Sequence, residues 1–301
     1  MRIFRVFGAE TVSGFSRIKS DRANGMTAKE YLASGQPDKA LLELQNEIRA
    51  HPEDPKLRIF LFQLHCVLGN WTKALTQLQV IAGIDPDTMM LAQIFHPVIN
   101  CEALRRGVFE GKLTPLIFGE PLEWVGLLIK ALEHIARNEV AAAAELRARA
   151  FEAAPATTGT IDGKPFSWIA DADSRLGPML ELILDGKYYW VPFCRIKRIA
   201  LPEPSDLRDL IWIPAQFVWT NGGQASGHIP TRYIGSESSP DGSLRLARKT
   251  DWKDLGEETF IGEGLRLLAT DDGEYPLLQC RLIDFATAEV PVAKTGAKVS
   301  L

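Results

Sequence analysis

Cysteine is scarce and scattered in this chain of 301 residues. The four, Cys66, Cys101, Cys194 and Cys280, form no C-x-x-C pair and no regular framework. Cys66 and Cys101 sit in apolar helical runs, which fits buried free thiols, a reducing compartment and a cytoplasmic location. With no two cysteines paired locally, a structural zinc site is not expected. No apolar run reaches the roughly 18 residues of a membrane span, so no membrane partner is expected. Charge of one sign is missing too. Against 34 Lys and Arg stand 38 Asp and Glu, with no basic track interleaved with aromatics, which argues against nucleic acid. His51, His65, His96 and His134 have no H-x-x-x-H or H-E-x-x-H spacing. Cys194 and His228 lack an oxyanion-loop motif, and Ser236–Ser239 is a polar loop without a G-x-S-x-G elbow. No cofactor is expected.

What is present is a repeat. Gly35, Ala40, Leu44 and Pro52 recur as Gly69, Ala74, Leu78 and Pro86, each displaced by 34 residues, the tetratricopeptide period. Gly permits the tight turn between two helices, Ala lets them approach closely, and Pro ends the second helix. Asn138, Ala143 and Pro155 form a third, displaced copy, preceded by a helical run from Trp124 to Arg137. The spacing predicts TPR-like helical hairpins over residues 26–155, including a helix from Thr88 to Glu110 and a last hairpin over Leu122–Ala154. Residues 1–25 carry five basic and two acidic side chains without a continuous apolar stretch, so they read as a disordered leader.

After Pro155 the pattern changes. Asp185-Gly186, Asn221-Gly222-Gly223 and Asp241-Gly242 punctuate short runs of β-branched and aromatic residues. Strands are expected at Tyr188–Val191, Arg195–Leu201, Leu210–Ile213, Gln216–Trp219, Gly227–Ile229, Leu244–Ala247 and Tyr275–Arg281. One short helix is expected at Leu176–Leu184. The fold class is therefore α+β, with a small, mostly antiparallel, barrel-like β-rich domain over residues 156–289 and a loose tail over 290–301.

Two groups of residues invite a functional reading. On the first helix of the second repeat, Lys56, Ile59, Gln63, Cys66 and Val67 occupy the positions that line a TPR groove; in the third repeat these are Val125, Leu128, Leu132, Ile135 and Ala136. Carboxylate-clamp TPRs use Lys, Arg and Asn there. This mainly apolar set suits the apolar face of a partner helix, or else packing against the protein's own β domain. Trp168, Asp171, Asp173 and Arg175 form the second group. An Asp-x-Asp pair with an adjacent guanidinium fits a metal-dependent or hydrolytic centre. It equally fits a buried ion-pair cluster joining the two domains, with Asp171, Asp173 or Ser174 capping the helix expected near Leu176, and that structural reading is preferred. A third possibility is a scaffold that binds by strand addition at an open sheet edge.

The stretch Gly159–Pro178, with Ile161-Asp162-Gly163-Lys164-Pro165 and Trp168–Arg175 inside it, is not generic. Together with Tyr188–Phe193, Leu210–Ala215, Ile229–Tyr233 and Gly273-Glu274-Tyr275-Pro276, it resembles the ImpE family, also called TagJ, over about Ala28–Phe285. These are accessory proteins of bacterial type VI secretion systems. The resemblance implies a non-catalytic adaptor: a protein that binds a helix of the small contractile-sheath subunit (TssB-like) and modulates sheath disassembly by the ClpV ATPase. It supplies no catalytic residues, and residues 1–25 lie outside it.

Overall fold

In a computed structural model, residues 26–84 and 88–286 are described. The leader over 1–25, Pro86 and the tail over 290–301 lie outside them. The helical layer consists of α1 (Ala28–Ala33), α2 (Pro37–Ala50), α3 (Pro55–Val67), α4 (Trp71–Ile84), α5 (Met89–Phe109), α6 (Glu123–Ala136) and α7 (Val140–Ala153). Local chemistry sets the starts. Thr27 and Glu30 form a capping box on α1, and the Asp54 side chain accepts the Lys56 amide at the head of α3. Pro37 and Pro55 occupy first-turn positions where their missing N–H costs nothing. The repeated glycines turn the chain with positive φ, +76° at Gly35 and +66° at Gly69, while Asn138 does the same at +62°. Ala40, Ala74 and Ala143 are fully buried between paired helices.

The β half forms a nine-stranded sheet, a three-stranded sheet and a two-stranded ribbon. Its strands are β1 (Leu116–Ile117), β2 (Gly159–Ile161), β3 (Lys164–Phe166), β4 (Ile169–Asp171), β5 (Met179–Leu184), β6 (Lys187–Pro192), β7 (Ile196–Ala200), β8 (Trp212–Trp219), β9 (Gln224–Pro230), β10 (Thr250–Asp254), β11 (Phe260–Gly264), β12 (Leu267–Thr270), β13 (Glu274–Pro276) and β14 (Leu282–Phe285), with a short helix α8 (Gly242–Arg245) before β10. The large sheet runs β1-β6-β5-β9-β8-β7-β14-β2-β3 and is antiparallel throughout except for β1 beside β6. It ends in two edge strands, so the barrel-like expectation is corrected: the sheet is open.

Four local expectations are also corrected. Leu176–Leu184 contains strand β5, not a helix. Its apolar run is buried on both faces, a pattern that periodicity cannot distinguish from a buried helix, and the Asp185-Gly186 turn pairs it with β6. Leu244–Ala247 falls in and after α8, where the Asp241 side chain caps the turn by accepting the Ser243 amide. Tyr275–Arg281 is split between β13 and a 3₁₀ turn over Leu277–Gln279. The two strands expected around Pro214 are one, β8. Pro214 lies beyond the Ala200–Gln216 pairing that ends β7, so its missing N–H breaks no bond on that side.

The pleat divides the core. From β5, Met179 and Ile183 join Phe62, Phe95, Trp190 and Trp212 in a cluster shared with the helices. Leu180, Leu182 and Leu184 point the other way, into a second cluster with Val191, Phe217 and Ile229. One face of the sheet is therefore the floor on which the helical layer sits.

Candidate functional site

Helix α5 crosses that floor and carries the charged residues of the seam. Glu102, Arg105 and Phe109 lie three and four residues apart and so share one face. Arg105 donates to the Glu181 carboxylate of β5 from Nε (2.6 Å) and Nη2 (2.9 Å), and Nη2 also donates to the Arg232 carbonyl at 2.6 Å. Glu102 lies 3.5 Å from Arg105 and accepts the Trp212 indole N–H at 2.7 Å. Arg266 pairs with both Glu181 and Asp171, and its Nε donates to the Pro230 carbonyl. Tyr188 donates to Glu181 at 2.5 Å and accepts from the Trp190 indole at 2.7 Å.

Arg232 is held differently. It is buried and donates to the carbonyls of Cys66, Val67 and Arg245. Those carbonyls lie at the C-terminal ends of α3 and α8, where the helix dipoles favour a cation.

The expected cluster is only partly brought together. Asp171, Asp173 and Arg175 are buried, but Trp168 is 42% exposed and stands outside it. Asp173 takes Arg175 in a bidentate pair, Nε at 2.8 Å and Nη2 at 2.5 Å, and also accepts the Arg175 and Gly262 amides at 2.9 Å each. Asp171 accepts the Asp173 amide at 2.9 Å. These contacts build a turn, which corrects the expected cap on a helix at Leu176. Arg175 reaches the helices through the Phe109 ring, 4.6 Å from its centroid. In this geometry both aspartates are closed off from solvent and occupied by guanidinium groups.

Sequence reading missed Glu102, Arg105, Glu181, Arg232 and Arg266. The signal was there for two of them: Glu181 interrupts the apolar run Met179–Leu184, and Arg266 sits between Leu265 and Leu267. A lone charge in a strand-like apolar run needs a buried partner. Which partner was invisible, because Arg105 is 76 residues from Glu181.

Electrostatics follow from the pairing. Burial opposes charge on Glu181, but Arg105 and Arg266 outweigh it and hold the carboxyl down to about 2. Burial pushes Asp171 up to about 6, since Arg266 offsets only part of the desolvation. His65 and His228 are each pushed down to about 4, by burial first and then by Lys73 and Arg208 respectively.

A histidine whose folded pKa is depressed contributes stability that is complete above about 6.5 and lost as pH falls towards the folded value. Asp171 runs the other way, its contribution being lost as pH rises through about 6. Two histidines outweigh one carboxyl. The unfolding free energy measured in urea is therefore expected to fall between pH 7 and pH 5. In His65→Leu that fall should shrink by about 1–2 kcal/mol. An unchanged pH dependence in His65→Leu would mean that His65 is protonated as readily folded as unfolded.

The groove positions are mostly covered. Lys56 is exposed and Ile59 half-buried, but Gln63, Cys66 and Val67 are buried where Arg232 caps the end of α3. A partner helix cannot lie against those three while the sheet is in place. In the third hairpin Val125, Leu128, Leu132 and Ile135 are buried and Ala136 is exposed. Leu255, just after β10, and Ile261 of β11 pack against Ala131, Ile135 and Ala143, while Val125, Leu128 and Leu132 belong to the cluster shared with the sheet. Arg147 of α7 fixes the β10–β11 ribbon by donating to Thr259 Oγ1 at 2.7 Å and to the Glu257 and Glu258 carbonyls.

Comparison with known proteins covers both halves. Residues 163–284 match the family model of the ImpE protein, and residues 31–94 match a tetratricopeptide repeat. The chain is 45% identical over 270 residues to the type VI secretion system accessory component TagJ of Pseudomonas aeruginosa, spanning 90% of this chain and 94% of that one. The crystal structure of a protein from Vibrio parahaemolyticus superposes with a TM-score of 0.79 at 25% identity, covering 87% of this chain and 98% of that chain. Helical repeats, β-rich domain and the connection between them are thus shared along nearly the whole length, and the chain belongs to the ImpE family.

Proposed function

We infer that this protein is a non-catalytic adaptor of a type VI secretion system. Its work is to hold a helix of the small contractile-sheath subunit and so to modulate sheath disassembly by the ClpV ATPase. The observation that carries this reading is the 45% identity to a type VI accessory component over 90% of the chain. The burial of the Asp-x-Asp pair supports it, because Asp171 and Asp173 are taken up by Arg266 and Arg175 inside the β domain. Of the groove positions on α3 only Lys56 and Ile59 remain accessible, too few to seat a helix, so the partner helix engages a surface outside the α3 groove rather than the floor beneath Gln63, Cys66 and Val67.

Calorimetric titration of the small sheath subunit encoded with this protein is expected to show saturable binding. Ile59→Asp should change the affinity less than threefold, which corresponds to about 0.6 kcal/mol. No binding to that subunit would refute the partner, and a tenfold loss in a folded Ile59→Asp would return the site to α3.

A further inference from the structure

Between the C-terminal half of α5 and strand β1 lies an open cleft of about 300 Å³, lined by Leu104, Val108, Leu113, Pro115, Leu116 and Tyr188. Leu104, Leu113 and Leu116 are 47%, 49% and 49% exposed. Three leucines left half in water around one concavity mark a surface that another apolar group covers. The walls are built in. Gly107 leaves room for the loop after α5 to fold back, since a Cβ there would stand 2.6 Å from Leu113 Cδ1. The result is a valley with Leu104 on one ridge and Leu113 and Leu116 on the other.

The chemistry of the occupant follows from what the walls offer. An added strand would find little to pair with, because β1 has two residues and is preceded by Pro115, which has no N–H. A valley between two side-chain ridges instead accepts the ridge of a helix. Lys187 is exposed at the cleft and makes no ion pair among the described residues. Lys112, also exposed, stands next to Leu113 and is balanced by Glu110. Among the described residues, the one charged side chain that lines the cleft is thus a cation.

We propose that this cleft docks an amphipathic helix of a partner protein, leucine-like on one face and acidic along its flank. The proposal rests on the adaptor reading and gives it a surface.

The test uses the full chain with single variants Leu104→Gln, Leu116→Gln and Lys187→Glu, each checked by circular dichroism and thermal melting. Leu42→Gln, at an exposed leucine of α2, serves as control. Titrated with the small sheath subunit, the three cleft variants should each bind roughly tenfold more weakly, and the control should match wild type. Equal binding by folded cleft variants overturns the cleft and leaves the adaptor reading standing. If the wild type does not bind the sheath subunit, two synthetic helices of about four turns decide the matter. Both carry leucine on one face, with flanks of either Glu or Lys. A preference for the Glu-flanked helix that Lys187→Glu reverses supports the cleft. Equal binding of the two helices, or none, overturns it.

Discussion

Glu181→Ala is expected to destabilise the protein by about 3–5 kcal/mol, the cost of stranding buried charges. The side chain is fully buried and is the acceptor for Arg105, Arg266 and Tyr188. Its removal leaves two guanidinium groups in the interior, with only Asp171 and the more distant Glu102 to balance them. Glu181→Gln keeps the shape and loses the charge, so its effect should be intermediate. Urea denaturation of the three proteins measures both. A loss below about 1 kcal/mol in Glu181→Ala would mean that water reaches the seam and solvates the arginines. A large loss would not make the network a net source of stability, since well-packed apolar replacements can equal a buried ion pair. Its contribution is to orientation: Arg105 fits one position of α5 over β5, and a shift of one turn would separate every pair.

Trp212→Ala is expected to cost a similar amount, about 3–5 kcal/mol, for a different reason. Trp212 is fully buried between Trp71 of α4 and Phe95 of α5, with ring centroids at 5.8 and 6.1 Å. Truncation opens a cavity between layers and also removes the indole N–H from Glu102. Trp212→Phe separates the two effects: it fills most of the volume and loses the hydrogen bond, so about 1–3 kcal/mol should remain. Equal midpoints for Trp212→Phe and wild type would assign the whole effect to packing. Because α4 and α5 both rest on this ring, partial unfolding of Trp212→Ala should expose the helical layer first, seen as faster amide exchange in α4 and α5 than in β8.

The filled groove changes how the repeats are understood. In a free-standing TPR array the concave face is the ligand surface. Here the sheet and ribbon occupy it, through Trp212 and Arg232 on one side and Leu255, Ile261 and Arg147 on the other. The repeats act as a scaffold clasping their own β domain, and the apolar character of Cys66, Val67, Leu128 and Leu132 is explained by that contact.

The sequence by itself determined the features that depend on neighbours along the chain. The 34-residue repeat, the turns at Gly35, Gly69 and Asn138, the caps at Thr27 and Asp54 and the passage to strands after Pro155 are all local, governed by φ preferences, side-chain capping and periodicity. The ImpE motifs were legible for the same reason, as ordered stretches of residues. Tertiary structure alone decided whether the run Leu176–Leu184 became strand or helix, because β5 is buried on both faces and its period is erased. It decided that the sheet stays open, since closure depends on pairing between β1 and β3, which are 47 residues apart from Ile117 to Lys164 (164 − 117). It decided the partners of the buried charges as well. Arg105, Glu181, Arg232 and Arg266 meet only once the sheet lies on α5, and no spacing in the chain encodes a contact formed between separate elements.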